Sequence, residues 1–479
     1  MRISRCFEER SIQRERCRNN PNFCDTRSST VSGFQHKNRY VLSSSRRNWM
    51  DYLQKNKAKD RKTMIAILST TNAMPIYAVP QVARPPPEIF TVKARPAYGN
   101  VDREIELQLT NSKIIGNGSF GTVFMAELCA TNETVAIKKV CIDARYKNRE
   151  LGIMKRLQHP NIVRLMYFYY ERTVKDEEML YMMMEFMPKT LHQVLREHTK
   201  NQTFLSSFHT KLYTFQLLRA LAFIHTDNLV HRDIKPQNLL VDHEIGVLKV
   251  CDFGSAKFLE KDRENVSYIC SRYYRAPELL LCCNNYGVNI DVWSAGAVLC
   301  EFFHDTPLFL GTSSAGVLIT IASILGKPQI DDIPQKRPTI SLSQLPDLPG
   351  IGIAKVLNRR PSGNALQVIQ GFLKYSPSQR MDPLEALALP YFDDLRNPSA
   401  KLPNGAPLPP IFEWYEKEVV NKSDILRKIF PSRKESVATI EVPAITIEPL
   451  DVEPKLSDEN AIGEPRSKQK KTKKLFSLN

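Results

Sequence analysis

The chain of 479 residues has no run near the ~18 consecutive apolar residues that a membrane-crossing helix needs, so no membrane span is expected. Its first residues, MRISRCFEER, are charged and lack the apolar stretch of a secretory signal, so none is expected there. Ten cysteines are scattered, with Cys282 next to Cys283 and no C-x-x-C pair. That pattern argues against a zinc site and a disulfide framework and favours a reducing compartment, cytoplasm or nucleus. No internal repeat is evident. The central chain also lacks net charge. Of the formal +16, residues 1–63 carry +10 and residues 466–479 carry +6, which leaves residues 64–465 neutral. Basic ends without interleaved aromatics are weak support for nucleic-acid recognition, and no specific nucleic-acid partner is expected. The run PRSKQKKTKK reads either as a solvated charge tail or as a short nuclear-localisation signal.

Hydrophobic residues make up 42% of the chain and charged residues 25%, ample for a large core. Residues 1–104 are rich in Arg, Asn and Ser, end in a proline cluster and show no sustained period, so they read as a basic, largely disordered extension. From about Ile105 the pattern changes. LTNSKIIGNGSFGTVFMAEL and ETVAIKKVCI are β-branched and apolar runs separated by turn residues, which predicts antiparallel strands. KNRELGIMKRL has helical spacing, with Leu151, Met154 and Leu157 at three-residue steps. Short strands follow through YFYYERT and LYMMMEF. Beyond Met187 the chain turns helical, and IDVWSAGAVLCEFF, apolar on nearly every side, predicts a helix buried inside a lobe. The fold class expected is α+β: a β-rich small lobe over 105–187 and a mostly helical large lobe over 188–392. Residues 393–420 form an extension, and 421–479 read as a disordered tail with a basic end.

Four motifs carry chemistry. Gly116-Asn117-Gly118-Ser119-Phe120-Gly121, then Val123, is a G-x-G-x-x-G pattern, weak alone. A dinucleotide fingerprint would need a helix to follow, whereas a strand is predicted, so a glycine hairpin over phosphates or a simple tight turn fits better. Lys138 stands in V-A-I-K, and Glu150 in the following helix could hold its ammonium toward phosphates. His231-Arg232-Asp233-Ile234-Lys235-Pro236-Gln237-Asn238 matches H-R-D-x-x-x-x-N in full. Asp233 would orient a substrate hydroxyl, Lys235 would neutralise the transferred phosphoryl group, and Asn238 would offer an amide oxygen to Mg²⁺. Asp252-Phe253-Gly254 adds a hard carboxylate ligand of the kind Mg²⁺ prefers, and Ala276-Pro277-Glu278 closes the segment. Phosphoryl transfer needs positioning and charge neutralisation more than covalent chemistry, and this set supplies both. Lys235, two residues after Asp233, resembles the arrangement in serine/threonine kinases rather than in tyrosine kinases.

With these motifs in order, the chain resembles protein kinases and, more narrowly, the glycogen synthase kinase-3 (shaggy) family. IGNGSFGTV, HRDIKPQNLL, CDFGSAK, NVSYICSRYYRAPELL, IDVWSAG and LPYFDDLRNPSAKLPNGAPLP carry the resemblance over about 105–420. It implies a bilobal kinase fold and transfer of the ATP γ-phosphate to protein Ser/Thr, with ATP and Mg²⁺ as cofactors. Asp233, Lys235, Lys138 and Glu150 would be catalytic, and Asn238 and Asp252 would be the metal ligands. Nucleotide contacts would fall on Gly116, Asn117, Gly118, Ser119, Phe120, Gly121, Val123, Ala136, Lys138, Glu185 and Met187, with Met184 behind the adenine. The resemblance further implies substrates primed by a phosphate four residues C-terminal to the target, held by Arg149, Arg232 and Lys257, and an activation-loop phosphosite at Tyr268. Three departures mark a divergent paralogue. No R-x-R-x-x-S/T site precedes residue 105, the scaffold-docking segment around 331–357 is shorter and altered, and CCNNYGVN is unusual. Scaffold partners are therefore a weaker expectation than primed protein substrates, and a kinase fold serving mainly as a binding scaffold is the alternative.

Overall fold

The computed structural model describes residues 88–99, 103–118, 121–142, 149–304, 306–332, 345–358, 360–419 and 423–429. Ser119, Phe120, most of both basic ends and residues 333–344 of the expected docking segment lie outside the described residues.

Six antiparallel strands close into a barrel: β1 (Phe90–Pro96), β2 (Ile105–Gly118), β3 (Gly121–Leu128), β4 (Thr134–Cys141), β5 (Leu165–Arg172) and β6 (Glu178–Glu185). Their order is β1-β2-β3-β4-β6-β5, and β1 returns to β5 through Arg95 opposite Phe168. Alternate side chains point inward, so Ala94, Leu109, Ala126, Val135, Ile137 and Met183 form a compact core. Each buried Leu, Val, Ile or Met side chain there is worth about 1.5–3 kcal/mol. Helix α1 (Arg149–Met154) lies between β4 and β5 in the chain and buries Glu150, Leu151, Ile153 and Met154.

The expectation that residues 1–104 lie outside the fold is corrected by β1. Phe90, Val92 and Ala94 do alternate with polar residues, but over only seven positions flanked by prolines, too short a run to stand out. Pairing with β2, from Phe90 opposite Leu109 to Ala94 opposite Ile105, gives the segment its stability.

Past β7 (Lys189–Thr190) the chain is mostly helical, with α2 (Leu191–Lys200), α3 (Ser207–His225), α4 (Pro277–Leu280), α5 (Asn289–Glu301) and α6 (Ser314–Leu325). Thr190 and Gln193 form a reciprocal capping box at the start of α2. α3 and α5 are buried on nearly all faces, as their apolar-rich composition predicts, with Phe215, Phe223 and Trp293 fully enclosed. Short strands β8 (Leu229–Val230), β9 (Leu239–Asp242), β10 (Val247–Val250) and β11 (Lys257–Phe258) carry the loops that face the barrel. Four further helices, α7 (Ile353–Val356), α8 (Gly363–Phe372), α9 (Pro383–Leu387) and α10 (Asp393–Arg396), complete the large lobe.

The C-terminal extension is part of this core. α11 (Glu416–Val419) lies near its end and α12 (Ser423–Ile429) follows it, and Ile429 is buried, so the tail expected from 421 contains a packed helix at its start. Its period was hidden by the surrounding Lys, Ser and Asn. A buried charge cluster ties the extension down. Arg219 Nε and Nη2 of α3 donate to the two Glu418 oxygens at 2.8 and 2.9 Å, and His159 Nε2 lies 3.0 Å from Glu418 Oε1. Trp414 covers the Arg219 guanidinium at 4.7 Å.

This cluster makes stability depend on pH. Burial pulls His159 down from 6.5 to about 4, although Glu418 opposes the shift. Burial would raise Glu418, but His159 and Arg219 outweigh it and lower its carboxyl from 4.5 to about 2. Both groups bind protons more readily unfolded, so stability is full above pH 6.5 and falls as pH drops toward 2. His159→Gln should flatten unfolding free energy between pH 6.5 and 4, measured by denaturant titration at each pH. A slope equal to that of the unsubstituted protein would contradict this.

Candidate active site

The barrel and the helical lobe border a cleft of about 760 Å³. Val123, Ala136, Met184, Leu240 and Cys251 line it, with Lys138, Glu150 and Asp252 at one end. Its apolar walls suit a flat heterocycle, and its charged end suits a polyanion.

The β2–β3 hairpin forms its roof, with Gly116 opposite Val123, Asn117 opposite Thr122 and Gly118 opposite Gly121. Gly121 has φ +123°, and a Cβ there would lie 2.1 Å from the Lys139 carbonyl oxygen, so only glycine fits. Ser119 and Phe120, at the tip, lie outside the described residues.

Lys138 sits mid-strand in β4, opposite Val123 on one side and Met182 on the other. Its Nζ donates to Glu150 Oε1 and Oε2 at 2.7 and 2.8 Å and to Asp252 Oδ1 at 2.9 Å. Burial opposes the Lys138 charge, but Glu150 and Asp252 outweigh it and hold its pKa above the usual lysine value. Burial likewise opposes the Asp252 charge, and Lys138 outweighs it, so that carboxyl stays ionised below its usual range. Removing one member of such a buried pair costs about 3–5 kcal/mol.

The loop from His231 is held by Asp291 of α5. The buried Asp291 carboxylate accepts the His231 and Arg232 backbone N–H groups at 2.8 and 2.9 Å. Those bonds stabilise the turn in which Arg232 adopts φ +67°. His231 Nε2 lies 3.0 Å from the Cys251 carbonyl oxygen, and its ring meets Phe253 edge-on at 4.8 Å. Asp252 follows in a left-handed conformation, φ +63°, which turns its carboxylate to Lys138.

Four donors converge on Asp233. Lys235 Nζ is 2.6 Å from Oδ2, Asn238 Nδ2 is 3.1 Å from Oδ2, and Ser271 donates its hydroxyl and backbone N–H to Oδ1 at 2.7 and 3.0 Å. Asn238 Nδ2 also donates to the Asp233 carbonyl at 2.9 Å, so its amide oxygen is the group left to act as a ligand. One amide oxygen and one ionised carboxylate, Asn238 and Asp252, suit a hard divalent cation that keeps waters and shares phosphate oxygens. Among the described residues no cluster of three or more His, Cys, Asp or Glu could hold a metal alone.

At the barrel edge, the Glu185 carboxylate accepts the Arg164 backbone N–H at 2.7 Å and pairs with Lys249 at 2.9 Å. Its side chain therefore serves the fold, and only backbone there is available to a ligand; Phe186 and Met187 continue along the cleft.

The three expected phosphate-binding cations fall differently. Lys257 on β11 pairs with Val230 on β8, two residues before Arg232, whose Nε donates to the Ser255 carbonyl at 2.6 Å. The pairing sets Lys257 two residues from Arg232 in register, and both side chains are buried. Arg149 opens α1, one residue before Glu150. Tyr268 is 74% exposed, and the Arg275 guanidinium lies 4.6 Å from its ring centre. Arg275 is itself buried and donates to the Cys270 carbonyl at 2.8 Å.

Sequence reasoning missed Ser271 and Asp291 as parts of the site. Ser271 stands inside NVSYICSRYYRAPELL and Asp291 inside IDVWSAG, so the strings were visible but not the contacts, which span 38 and 60 residues.

Two comparisons bear on this geometry. The family model described as protein kinase domain matches residues 109–392. A curated protein from Pyricularia oryzae named glycogen synthase kinase 1 is 44% identical over 334 residues, covering 68% of this chain and 84% of that relative.

Gly121→Ala should lower unfolding free energy by about 1–3 kcal/mol through strained backbone and the Lys139 clash. Chemical denaturation measures this, and a variant as stable as the unsubstituted protein would show that the hairpin geometry is wrong.

Proposed function

Because the chain belongs to the glycogen synthase kinase family of protein serine/threonine kinases, we propose that it uses Mg²⁺ and prefers protein substrates already phosphorylated four residues C-terminal to the target. Family membership itself carries ATP and a divalent metal as requirements and proteins as substrates.

In this reading the cleft takes the adenine between Val123, Ala136 and Leu240, with the backbone of Glu185 and Met187 along its edge. Lys138, steadied by Glu150, sets a fixed positive charge against the ATP phosphates. Asn238 and Asp252 would hold Mg²⁺, which would supply neutralisation of phosphate charge. Asp233 receives the substrate hydroxyl in place of the Ser271 Oγ donor and takes up its proton as the oxygen bonds to phosphorus. The bond from phosphorus to the ADP oxygen breaks in that step, and Lys235 offsets charge on the transferred group. Arg149, Arg232 and Lys257 receive the priming phosphate.

The observation carrying the primed-substrate reading is the pairing of β8 with β11, which holds Arg232 and Lys257 beside the catalytic loop in a buried setting. Cations gathered in a poorly solvated place favour a dianionic ligand. Tyr268 adds a second element. Its phosphate would exchange a ring–guanidinium contact with Arg275 for charge-assisted hydrogen bonds, reshaping the segment that contacts substrate. The scattered cysteines and basic C-terminal run favour action in the cytoplasm and nucleus.

The test uses two peptides that differ only in a phosphoserine four residues C-terminal to the acceptor. Charge-assisted contacts of about 1.5–3 kcal/mol predict a kcat/KM preference of about 10-fold or more for the phosphorylated one. Lys257→Ala should remove most of that preference and leave the unphosphorylated rate nearly intact. Equal rates on both peptides would sink the priming proposal. Asp233→Asn should lower transfer to either peptide by about 100-fold or more. Transfer independent of Asp233 would overturn its role.

A further inference from the structure

Helix α1 has six residues and carries Glu150, which it presents to Lys138. The connector from Lys155 to Arg164 joins it to β5. Two segments outside the residues matched as the kinase domain, 109–392, grip that connector.

From the N-terminal side, β1 delivers Ala97 and Tyr98. Ala97 N–H donates to the Met166 carbonyl at 2.9 Å, and the Tyr98 hydroxyl donates to the Leu157 carbonyl at 2.9 Å, with the Met154 carbonyl at 3.3 Å. The Met154 and Leu157 carbonyls belong to the end of α1 and the turn just after it, while Met166 lies at the start of β5. From the C-terminal side, Glu418 meets His159 Nε2 at 3.0 Å and is anchored by Arg219 of α3. The Tyr415 ring lies 5.8 Å from that of His159. His159 in turn shapes the connector, since its Nδ1 accepts the Asn161 backbone N–H at 3.1 Å.

We propose that Tyr98 and Glu418 are positioning residues for phosphoryl transfer: together they clamp the α1–β5 connector and so hold Glu150 against Lys138. The segments flanking the kinase domain are then working parts of the catalytic centre, although neither touches substrate. The inference rests on the roles given above to Lys138 and Glu150.

The physical content is coupling. A clamp that acts through Glu150 loses its value when Glu150 can no longer pair with Lys138, whereas a contact that only stabilises the fold keeps its value. A double-substitution cycle separates the two. Tyr98→Phe removes one hydroxyl and keeps the ring, so it is the variant least exposed to misfolding. In the full chain with Mg-ATP and a peptide substrate, Tyr98→Phe alone should lower kcat/KM by about 3- to 10-fold, while in a Glu150→Gln background it should lower it by less than about 1.5-fold. Glu418→Gln should behave alike per mole of folded enzyme, with the folded fraction set by circular dichroism. Equal factors in both backgrounds, or no effect of Tyr98→Phe alone, would overturn the proposal while leaving Glu150 in its role. Full activity of Glu150→Gln by itself would overturn that role and the clamp with it.

Discussion

Lys138 Nζ lies between two carboxylates, 2.7 Å from Glu150 and 2.9 Å from Asp252, with all three side chains largely removed from water. An isolated buried charge of this kind is costly, and three of them persist only because each is placed against another. The placement draws on three separate parts of the fold. Strand β4 holds the lysine in mid-barrel, helix α1 presents Glu150, and the turn after β10 holds Asp252 at φ +63°. The barrel, the connector after α1 and the loop near His231 can be understood as what keeps those three elements in register.

The second charge centre, at Asp233, follows the same logic with different means. Its carboxylate is surrounded by donors from Lys235, Asn238 and Ser271, and the loop that carries it is pinned through its backbone by Asp291. His231 links the two centres through the Cys251 carbonyl, one residue before Asp252. Positioning of this sort suits phosphoryl transfer, where fixed charge and fixed distance contribute more than covalent chemistry.

What could be read from the sequence divides along the range of the interactions. Strands built from β-branched and apolar runs, such as VAIK around Lys138, and the helix around Trp293, apolar on nearly every side, were legible because local pattern determines them. The motifs around Asp233 and Asp252 were legible because their spacing is set by the chemistry. Strand β1 was not, since seven residues between prolines carry too little pattern, and its stability comes from β2 and β5. Glu418 looked like one more charge near the end of the 393–420 extension. Only the folded chain brings it to Arg219 and His159, contacts that span 199 and 259 residues. Ser271, Asp291 and Tyr98 were obscure for the same reason.

The central claim is that the Lys138 ammonium acts on the ATP phosphates rather than on the fold alone. The direct test is transfer of the labelled ATP γ-phosphate to a protein substrate by Lys138→Arg, beside nucleotide affinity measured on the same sample. The guanidinium keeps the charge but cannot occupy the same point between Glu150 and Asp252. The account predicts transfer reduced by about 100-fold or more while nucleotide affinity changes by less than about 10-fold. Transfer close to that of the unsubstituted protein would contradict it.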